Sequence, residues 1–322
     1  MHIPKTAMNR VAPKIPIITG PTASGKTQAV IALAQRWPLV VVSADSRQIY
    51  RQCNIGTAKP SKEQQNTVRH RLIDILDPNE TYSAAMFRDD AERAILEAFE
   101  SGQLPIVVGG TGFYISALMG RLNEIPEVPA DVREKVQNEV TQLGRISAHS
   151  RLTQIDPEAA DNINPSDSQR ISRALSVYKY TGKPISWFWS RPNQPQRFAT
   201  SVWALDLPTE TLNQRIAGRV ESMIDEGLAQ EVAGLIADGY SWDDPGLSAV
   251  GYREFREHFE NEADISSVVS QIAANTRRFA KRQRTWLRRE EDVIWTKPDL
   301  LADSPELTDL LDSGAGAASQ LT

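Results

Sequence analysis

An α/β fold, with a doubly wound parallel sheet core and a mainly helical insertion domain, is the architecture that the sequence predicts. Three observations lead to it. Short apolar runs alternate with helical patterns, a glycine-rich loop separates the first run from the first helix, and strand patterns are missing from the middle of the chain. We expect the core to comprise residues 12–120 and 200–300, the insertion to comprise residues 121–199, and the tail at 301–322 to be disordered.

The first part of the core contains apolar runs of strand length, separated by segments with helical periodicity. A strand that is apolar along its whole length is typical of a parallel sheet covered on both faces. The predicted strands are Ile15–Thr19, Leu39–Val42, Leu72–Leu76 and Pro105–Val108, and the predicted helices are Gly25–Gln35 and Ser83–Glu100. These elements make successive βαβ units.

The second part of the chain begins with helices. Asp131–Tyr180 has helical patterns and no convincing strand. Strand character returns at Ser201–Leu207, helical patterns extend over Pro208–Glu290, and Asp292–Thr296 fits an edge strand. We therefore interpret the middle stretch as an insertion in the α/β core.

The bulk composition of the 322 residues is ordinary for a globular protein, and the net charge is −5. No apolar run is long enough to cross a bilayer, and Met1–Lys14 lacks the apolar segment of a secretory signal. The single cysteine, Cys53, excludes an intramolecular disulfide, and no histidine has a partner at a metal-ligand spacing. We expect a cytoplasmic monomer with no membrane contact.

The segment Gly20–Thr27 fits the phosphate-loop pattern G-x-x-x-x-G-K-[ST] and lies between a predicted strand and a predicted helix. Glycines let backbone N–H groups converge on phosphate oxygens, and the helix N-terminus adds partial positive charge. Lys26 adds a full charge, and the Thr27 hydroxyl can bind Mg²⁺ that bridges the phosphates. We predict a P-loop NTPase-like core whose diphosphate-binding residues are Gly20, Pro21, Thr22, Ala23, Ser24, Gly25, Lys26 and Thr27.

An acidic residue near the phosphate lies in an unusual place. A P-loop NTPase or kinase usually has one at the end of a later strand, but Pro105–Val108 is followed by Gly109–Gly112 without an acid. Asp45 instead follows the second strand, and strand carboxyl ends line the ligand crevice of such a sheet. The loop could then hold diphosphate as a leaving group while Asp45 accepts a proton from a nucleophile. The alternative is that Asp45 caps the following turn.

A strongly basic segment stands out in this acidic protein, since Thr276–Arg289 has seven basic residues and no acidic one. On a helix, four of them would form one stripe: Arg277, Lys281, Arg284 and Arg288. Such a stripe indicates a clamp for nucleic-acid phosphates. The alternative is an ordinary solvated face, with Phe279 and Trp286 packed inward.

A series of segments spread over most of the chain resembles the bacterial tRNA dimethylallyltransferase family, also called tRNA isopentenyltransferases. The segments are GPTASGKT (Gly20–Thr27), SADSRQIY (Ser43–Tyr50), IGTAKP (Ile55–Pro60), HRLIDILDP (His70–Pro78), GGTGFYI (Gly109–Ile115), DSQRISRAL (Asp167–Leu175), GKPIS (Gly182–Ser186), VGYREF (Val250–Phe255) and AKRQRTWLR (Ala280–Arg288). They follow the order of the family's motifs. Together they are far more specific than the phosphate loop alone.

The resemblance implies an enzyme that transfers the dimethylallyl group of dimethylallyl diphosphate to N6 of the tRNA adenosine immediately 3′ of the anticodon, adenosine-37. It also implies Mg²⁺ as the cofactor, release of diphosphate, and the tRNA anticodon stem-loop as the partner. The adenine would be flipped out of its loop into a channel through the protein, which the allyl diphosphate enters from the other side.

The resemblance further assigns roles to single residues. The implied catalytic residues are Asp45, Lys26, Thr27, Thr111 and Arg133, with Asp45 as the general base on N6 and Thr27 as the Mg²⁺ ligand. The implied tRNA contacts are Asp45, Ser46, Arg47, Gln48, Thr111, Arg133, Gln169, Arg170, Ile171, Ser172, Arg173, Ser248, Gly251, Tyr252, Arg253, Arg277, Lys281, Arg282, Gln283, Arg284, Trp286 and Arg288.

The sequence departs from the family's motifs at a few positions. Arg47 stands where the family commonly has Met, Asn54 where Asp is common, and Phe113 where Leu is usual. None of these changes removes a group that the chemistry requires. Arg47 could alter contacts to neighbouring bases of the anticodon loop.

Other functions share part of this pattern. A P-loop kinase would require a nucleoside triphosphate, and a prenyltransferase could act on free adenine nucleotides instead of tRNA. A non-catalytic RNA-binding protein would not need an intact phosphate loop together with Asp45 and Thr111. The basic segment and the helical insertion favour a large RNA as substrate.

Overall fold

The computed structural model describes residues 14–193 and 195–318. The strands are β1 (Ile15–Thr19), β2 (Leu39–Ser43), β3 (Arg69–Arg71), β4 (Leu104–Val108), β5 (Thr200–Leu205) and β6 (Val293–Thr296). The α-helices are α1 (Lys26–Ala34), α2 (Lys62–Thr67), α3 (Ala84–Glu100), α4 (Gly112–Leu118), α5 (Ala130–Leu143), α6 (Arg145–Ile155), α7 (Pro157–Asn162), α8 (Ser168–Thr181), α9 (Ile185–Trp189), α10 (Thr209–Asp225), α11 (Leu228–Ala237), α12 (Arg256–Asn261), α13 (Ile265–Leu287) and α14 (Pro305–Ala318), and 3₁₀ helices lie at Arg253–Phe255 and Pro298–Asp303. Within the described ranges, no helix is both long enough and apolar enough to span a membrane.

The six strands form one parallel sheet in the order β3-β2-β4-β1-β5-β6. Successive residues of β1 enter different apolar clusters, with Ile17 in one and Ile18 in the other. The sheet is therefore covered on both faces, which confirms the predicted α/β class. Because all strands run in the same direction, the segments after β1, β2 and β4 share one edge of the sheet. The predicted edge strand near residue 293 is also confirmed, since β6 pairs with β5.

The third strand lies earlier in the chain than predicted. β3 pairs with β2, whereas Leu72–Leu76 is mainly loop and has one bridge, between Leu76 and Tyr50. Leu72 and Asp74 have φ of 62° and 55°, in the left-handed region that ends a strand. The apolar run arose for another reason, because these loop side chains pack against the core from outside the sheet.

The predicted disordered tail is an ordered helix in its described residues, so that prediction is wrong there. Leu307 and Leu311 of α14 are buried in the same apolar cluster as Trp37, whose Nε1 donates a hydrogen bond to Asp312 Oδ1 at 2.8 Å. The Ser-, Gly- and Ala-rich composition concealed two leucines four residues apart, which form an apolar stripe on a helix. Residues 319–322 lie outside the described residues.

The chain divides into two compact units, one containing the sheet and the other Gly120–Pro195. The second unit holds α5 to α9, and its described residues contain no strand. The buried carboxylate of Asp156 accepts hydrogen bonds from the backbone N–H groups of Ala159 and Ser186, each at 3.0 Å. It thereby caps α7 and joins it to α9.

We predict that Leu307→Ala lowers the free energy of unfolding by about 2–4 kcal/mol, because it leaves a cavity in a packed cluster. Urea denaturation measures the change. Leu300→Ala is the control, since Leu300 is 52% exposed and should change stability by less than about 0.5 kcal/mol. Equal, small effects of both substitutions would mean that α14 does not pack on the core.

Candidate active site

A cavity of about 510 Å³ lies where the segments after β1 and β2 meet. Its walls also include residues 54–59, one side of α10 and one side of α13. All of these belong to the unit that contains the sheet. The phosphate loop and Asp45 therefore line one cavity, as the sequence predicts from their positions at the carboxyl ends of two strands of the sheet.

The backbone of the phosphate loop is held in a shape that its small residues permit. Gly20 has φ of 145°, and a Cβ there would lie 2.7 Å from the Leu205 carbonyl oxygen. Ala23 has φ of 63°, a left-handed conformation that costs a non-glycine residue about 1 kcal/mol or more. The surrounding structure must impose this shape, and imposed strain of this kind is common at ligand sites.

The Lys26 ammonium group is enclosed by the loop that carries it. Its Nζ donates hydrogen bonds to the carbonyl oxygens of Gly20 and Pro21, each at 3.0 Å. Burial lowers the pKa of Lys26 to about 8, while the negative charge of Asp45 opposes this shift and the positive charge of Arg219 adds to it. An anion bound at the loop would stabilise the charged form of Lys26, which burial destabilises.

A second polar group of the loop has unused hydrogen-bonding capacity. Ser24 Oγ is buried and has no hydrogen-bond partner in the described part of the chain. Buried hydroxyl groups almost always have a partner in folded proteins. A phosphate oxygen at the loop would provide the missing acceptor.

Asp45 divides its two carboxylate oxygens between two tasks. Oδ1 accepts hydrogen bonds from the backbone N–H groups of Arg47 at 2.9 Å and Gln48 at 3.4 Å, so the turn-capping alternative is realised. For Oδ2, no hydrogen bond to a described residue is found. The residue is half-buried and lines the cavity. One oxygen can thus fix the turn while the other is available to a ligand.

Thr111 joins the segments that follow β2 and β4. Its backbone N–H donates to the Ala44 carbonyl oxygen at 3.1 Å, and its Oγ1 accepts from the Ser46 N–H at 3.0 Å. The side chain also donates to Ser46 Oγ at 3.3 Å. Thr111 therefore positions the turn that carries Asp45.

Arg47 and Gln48 both line the cavity, but protein loops already engage their side chains. Arg47 Nη1 donates to the Pro245 carbonyl oxygen at 2.7 Å. Gln48 Nε2 donates to the carbonyl oxygen of Ala58 at 3.2 Å. The unusual arginine thus ties its own turn to the 241–252 loop, which also brings Ser248 to the cavity wall.

The loop at residues 54–59 is held by a single carboxylate on α11. The Glu231 side chain accepts hydrogen bonds from the backbone N–H groups of Asn54, Ile55 and Gly56 at 2.9–3.2 Å. It also accepts from the Tyr252 hydroxyl at 2.6 Å. Tyr252 is fully buried, and its implied role as a tRNA contact stays a prediction. Its ring packs on Gly56, where a Cβ would approach to 2.4 Å.

Arg219 is a site residue that the sequence analysis missed. It lies on α10, is exposed to the cavity it lines, and is close enough to Asp45 and Lys26 to affect their electrostatics. Desolvation lowers the pKa of Arg219, and the charge of Asp45 opposes the shift. Arg215, one turn earlier, has Nη1 3.5 Å from a Cβ placed on Gly25. The signal in the sequence was two arginines four residues apart, which place two cations on one helix face.

Helix α13 presents part of its predicted basic stripe to solvent. Arg277, Lys281, Arg282 and Arg288 are exposed, and Arg282 also lines the cavity. Phe279 is 36% exposed and lines the cavity as well, so it does not pack inward as the alternative required.

Three residues of α13 are engaged inside the protein, and their implied roles as tRNA contacts stay predictions. Arg284 forms an ion pair with Asp206 and donates to Thr209 Oγ1 at 2.8 Å. Trp286 is half-buried against Gly112, where a Cβ would lie 2.6 Å from its ring. Gln283 is buried and hydrogen-bonded at both ends of its amide. The basic stripe is therefore interrupted at Arg284.

The remaining implied contacts are distributed over two places. Gly251 and Arg253 line the cavity, and Gly251 lies against the Gly56 carbonyl with φ of 103°. The others lie in the helical unit: Arg133, Gln169, Arg170, Ile171, Ser172 and Arg173. Of these, Ile171 and Ser172 are buried, and their implied tRNA contacts stay predictions.

Arg133 and Arg173 both belong to the helical unit. Burial lowers the pKa of Arg173, the positive charge of Arg133 lowers it further, and the negative charge of Glu127 opposes the shift. Arg133, Gln169 and Arg170 are exposed.

The similarity of the chain to known proteins agrees with this site. The family described as IPP transferase matches residues 48–290. The tRNA dimethylallyltransferase of Roseiflexus sp. (strain RS-1) is 44% identical over 284 residues, which cover 88% of this chain and 92% of the relative. The family match begins at Gln48, shortly after Asp45, and extends through α13.

Solved structures give the same answer. The tRNA isopentenylpyrophosphate transferase of Bacillus halodurans superposes with a TM-score of 0.67 at 34% identity, covering 96% of this chain and 98% of that one. A eukaryotic dimethylallyltransferase acting on tRNA superposes with a TM-score of 0.78 at 23% identity, over 96% of this chain and 80% of that one, and shows the shared fold. By sequence and by fold, the chain belongs to the IPP transferase family, which includes the tRNA dimethylallyltransferases.

Proposed function

We propose that the protein transfers the dimethylallyl group of dimethylallyl diphosphate to N6 of the tRNA adenosine immediately 3′ of the anticodon, adenosine-37. One observation carries the proposal: a phosphate loop with a buried lysine shares its cavity with Asp45, whereas the segment after β4 has no acid. That combination suits a diphosphate that leaves from carbon. The names of the relatives support the same reaction.

The reaction requires three things from the protein. The adenine amine is a poor nucleophile, because its lone pair is delocalised into the ring, so N6, the allyl C1 and the leaving oxygen must be aligned. The negative charge that develops on diphosphate must be neutralised as C1 gains carbocation character. Finally, a base must accept the proton that N6 loses.

The phosphate loop and its neighbours would neutralise the leaving group. Lys26 regains a full positive charge when an anion binds, and Ser24 Oγ donates to a phosphate oxygen. Backbone N–H groups at the start of α1 point toward the same anion. Arg219, on α10, would add a second cation to the same cavity.

We propose Mg²⁺ as the cofactor, held by Thr27. This residue is half-buried and lines the cavity, and its hydroxyl oxygen is a donor suited to Mg²⁺. No cluster of three or more metal-binding side chains occurs in the described ranges, which fits an ion held largely by substrate oxygens. Bound there, the ion would neutralise charge on diphosphate.

Asp45 is the proposed general base. Its Oδ1 is fixed by the turn, so Oδ2 has a defined direction and no competing hydrogen bond from a described residue. Thr111 supports this geometry by holding Ser46, the next residue. A fixed carboxylate accepts a proton with little reorganisation.

On α13, the exposed cations Arg277, Lys281 and Arg288 would bind anticodon-stem phosphates. Within the helical unit, Arg133, Gln169, Arg170 and Arg173 are proposed as further tRNA contacts. Arg47, Gln48 and Phe279 line the cavity into which the base would be flipped. A cytoplasmic location and a monomeric state stay predictions.

The test of this function needs no ATP. The protein is mixed with dimethylallyl diphosphate, Mg²⁺ and unmodified tRNA, and nucleosides are analysed by mass for N6-dimethylallyladenosine. A product found only with free adenine nucleotides would favour the nucleotide prenyltransferase. An absolute requirement for ATP would favour the kinase.

We predict that Asp45→Ala lowers kcat by about 100-fold or more and leaves the affinity for inorganic diphosphate within a few-fold of wild type. The base is lost, while the loop that binds diphosphate keeps its own contacts. Single-turnover kinetics and calorimetry provide the two readouts. Turnover within a few-fold of wild type would exclude Asp45 as the base.

We also predict that the affinity for inorganic diphosphate falls above about pH 8, the pKa to which burial lowers Lys26. The affinity falls with rising pH because the charged ammonium group binds the anion. Below this pKa Lys26 is protonated, and above it the protonated fraction falls about tenfold for each pH unit. Calorimetry across this range measures the fall. Lys26→Arg stays charged and should show a flatter profile. Identical profiles would contradict the role of Lys26.

A third prediction concerns salt. Affinity for the anticodon stem-loop should fall linearly with log salt concentration, and neutralising Arg277 or Lys281 to Gln should reduce the slope by about one each. The charge-matched control is Lys62→Gln, an exposed lysine at the start of α2. A slope that is the same in all four proteins would argue that α13 does not bind phosphates.

A further inference from the structure

One glutamine on the buried face of α13 connects this helix to the phosphate loop. Gln283 is 8% exposed and lies among the apolar residues that α13 turns to the core. A buried amide is costly unless both its donor and its acceptor are used. Here both are used, and neither partner is close in sequence.

The two ends of the Gln283 amide reach two different strand ends. Oε1 accepts a hydrogen bond from the backbone N–H of Thr22, in the phosphate loop after β1, at 2.8 Å. Nε2 donates to the carbonyl oxygen of Gly110, after β4, at 2.9 Å. The reversed amide would place a donor against a donor and an acceptor against an acceptor, so the orientation is determined.

The glycines after β4 fit this bridge. A Cβ on Gly110 would lie 2.3 Å from Gln283 Nε2, and one on Gly112 would lie 2.6 Å from the ring of Trp286, one turn further along α13. The absence of side chains at these two positions lets α13 approach the β4 edge. The glycines after β4 and the side chains of α13 therefore both contribute to this close contact.

From this geometry we propose that Gln283 is a positioning residue that couples RNA binding on α13 to diphosphate binding at the phosphate loop. The inference rests on the proposed function. Thr22 lies next to Ala23, whose left-handed φ must be maintained by contacts with the rest of the protein. The hydrogen bond from Thr22 to Gln283 is one such contact. A displacement of α13 when RNA engages Arg277 and Lys281 is transmitted to the loop through this side chain, beside the apolar packing of Ala280 and Ala23.

Linkage makes the proposal measurable. If RNA binding favours one loop geometry, the affinity for diphosphate changes by some factor when RNA is bound, and the reverse effect has the same size. The experiment measures the affinity of the full-length protein for inorganic diphosphate with Mg²⁺, alone and with a saturating unmodified anticodon stem-loop. No reaction can occur, because the allyl group is absent.

Two variants isolate the bridge. Gln283→Met removes both hydrogen bonds and keeps the length of the side chain, whereas Gln283→Glu keeps the acceptor for Thr22 and loses the donor to Gly110. The matched control is Gln271→Met, an exposed glutamine on the same helix that bonds to Ser267 one turn away. Thermal melting establishes that each variant is folded.

We expect wild type and Gln271→Met to share a coupling factor of about fivefold or more, and Gln283→Met to reduce it toward one. Gln283→Glu should retain an intermediate factor, since the bond to the loop survives. KM for dimethylallyl diphosphate measured with tRNA should rise about tenfold in Gln283→Met.

Three results would overturn the proposal: a wild-type factor of one, an unchanged factor in Gln283→Met, or an equal loss in Gln271→Met. If Gln283→Met does not fold, a wild-type factor in Gln283→Glu together with an unchanged KM also overturns it. Failure of the proposed function looks different, since wild type would then form no N6-dimethylallyladenosine at all.

Discussion

The site depends on the positive charge of Lys26, which forms no ion pair with a described residue. Its ammonium group donates to neutral carbonyl oxygens of its own loop, and desolvation lowers its pKa to about 8 against the opposing charge of Asp45. Arg219 and the N-terminus of α1 add positive potential to the same cavity. An anion with several oxygens can bind to all of these positive groups at once, and a diphosphate is such an anion.

The arrangement around this charge separates the present site from phosphoryl transfer. The segment after β4 offers glycine and Thr111 rather than an acid, while Asp45 stands after β2 with one oxygen fixed and one available. A phosphate grip with a base beside it suits a reaction at the carbon attached to the phosphate. Glu231 and Thr111 hold two of the segments that line the cavity, Glu231 through the backbone N–H of Gly56 and Thr111 through Ser46.

The sequence predicted the elements that depend on local pattern. The apolar runs predicted the parallel sheet, and the loop motif predicted the position of Lys26. The position of Asp45 after the second strand placed it at the same edge of the sheet. The sequence could not predict contacts between residues far apart in the chain, such as Gln283 with Thr22 or Arg284 with Asp206. The hydrogen bond of Gln283 and the ion pair of Arg284 inside the protein were therefore not predicted. α14 was missed because Leu307 and Leu311 gain stability only against the finished core. Arg219 was not predicted because two arginines on α10 are a weaker charge pattern than the seven basic residues of Thr276–Arg289.

The central claim is that the phosphate loop binds a leaving group and that the bond breaks at carbon. Dimethylallyl diphosphate labelled with ¹⁸O at the oxygen joining C1 to phosphorus tests it, by mass analysis of the released diphosphate after reaction with tRNA. The account predicts that all of the label appears in diphosphate and none in an allyl alcohol. Label retained on the allyl fragment, with unlabelled phosphate released, would show cleavage at phosphorus and contradict the account.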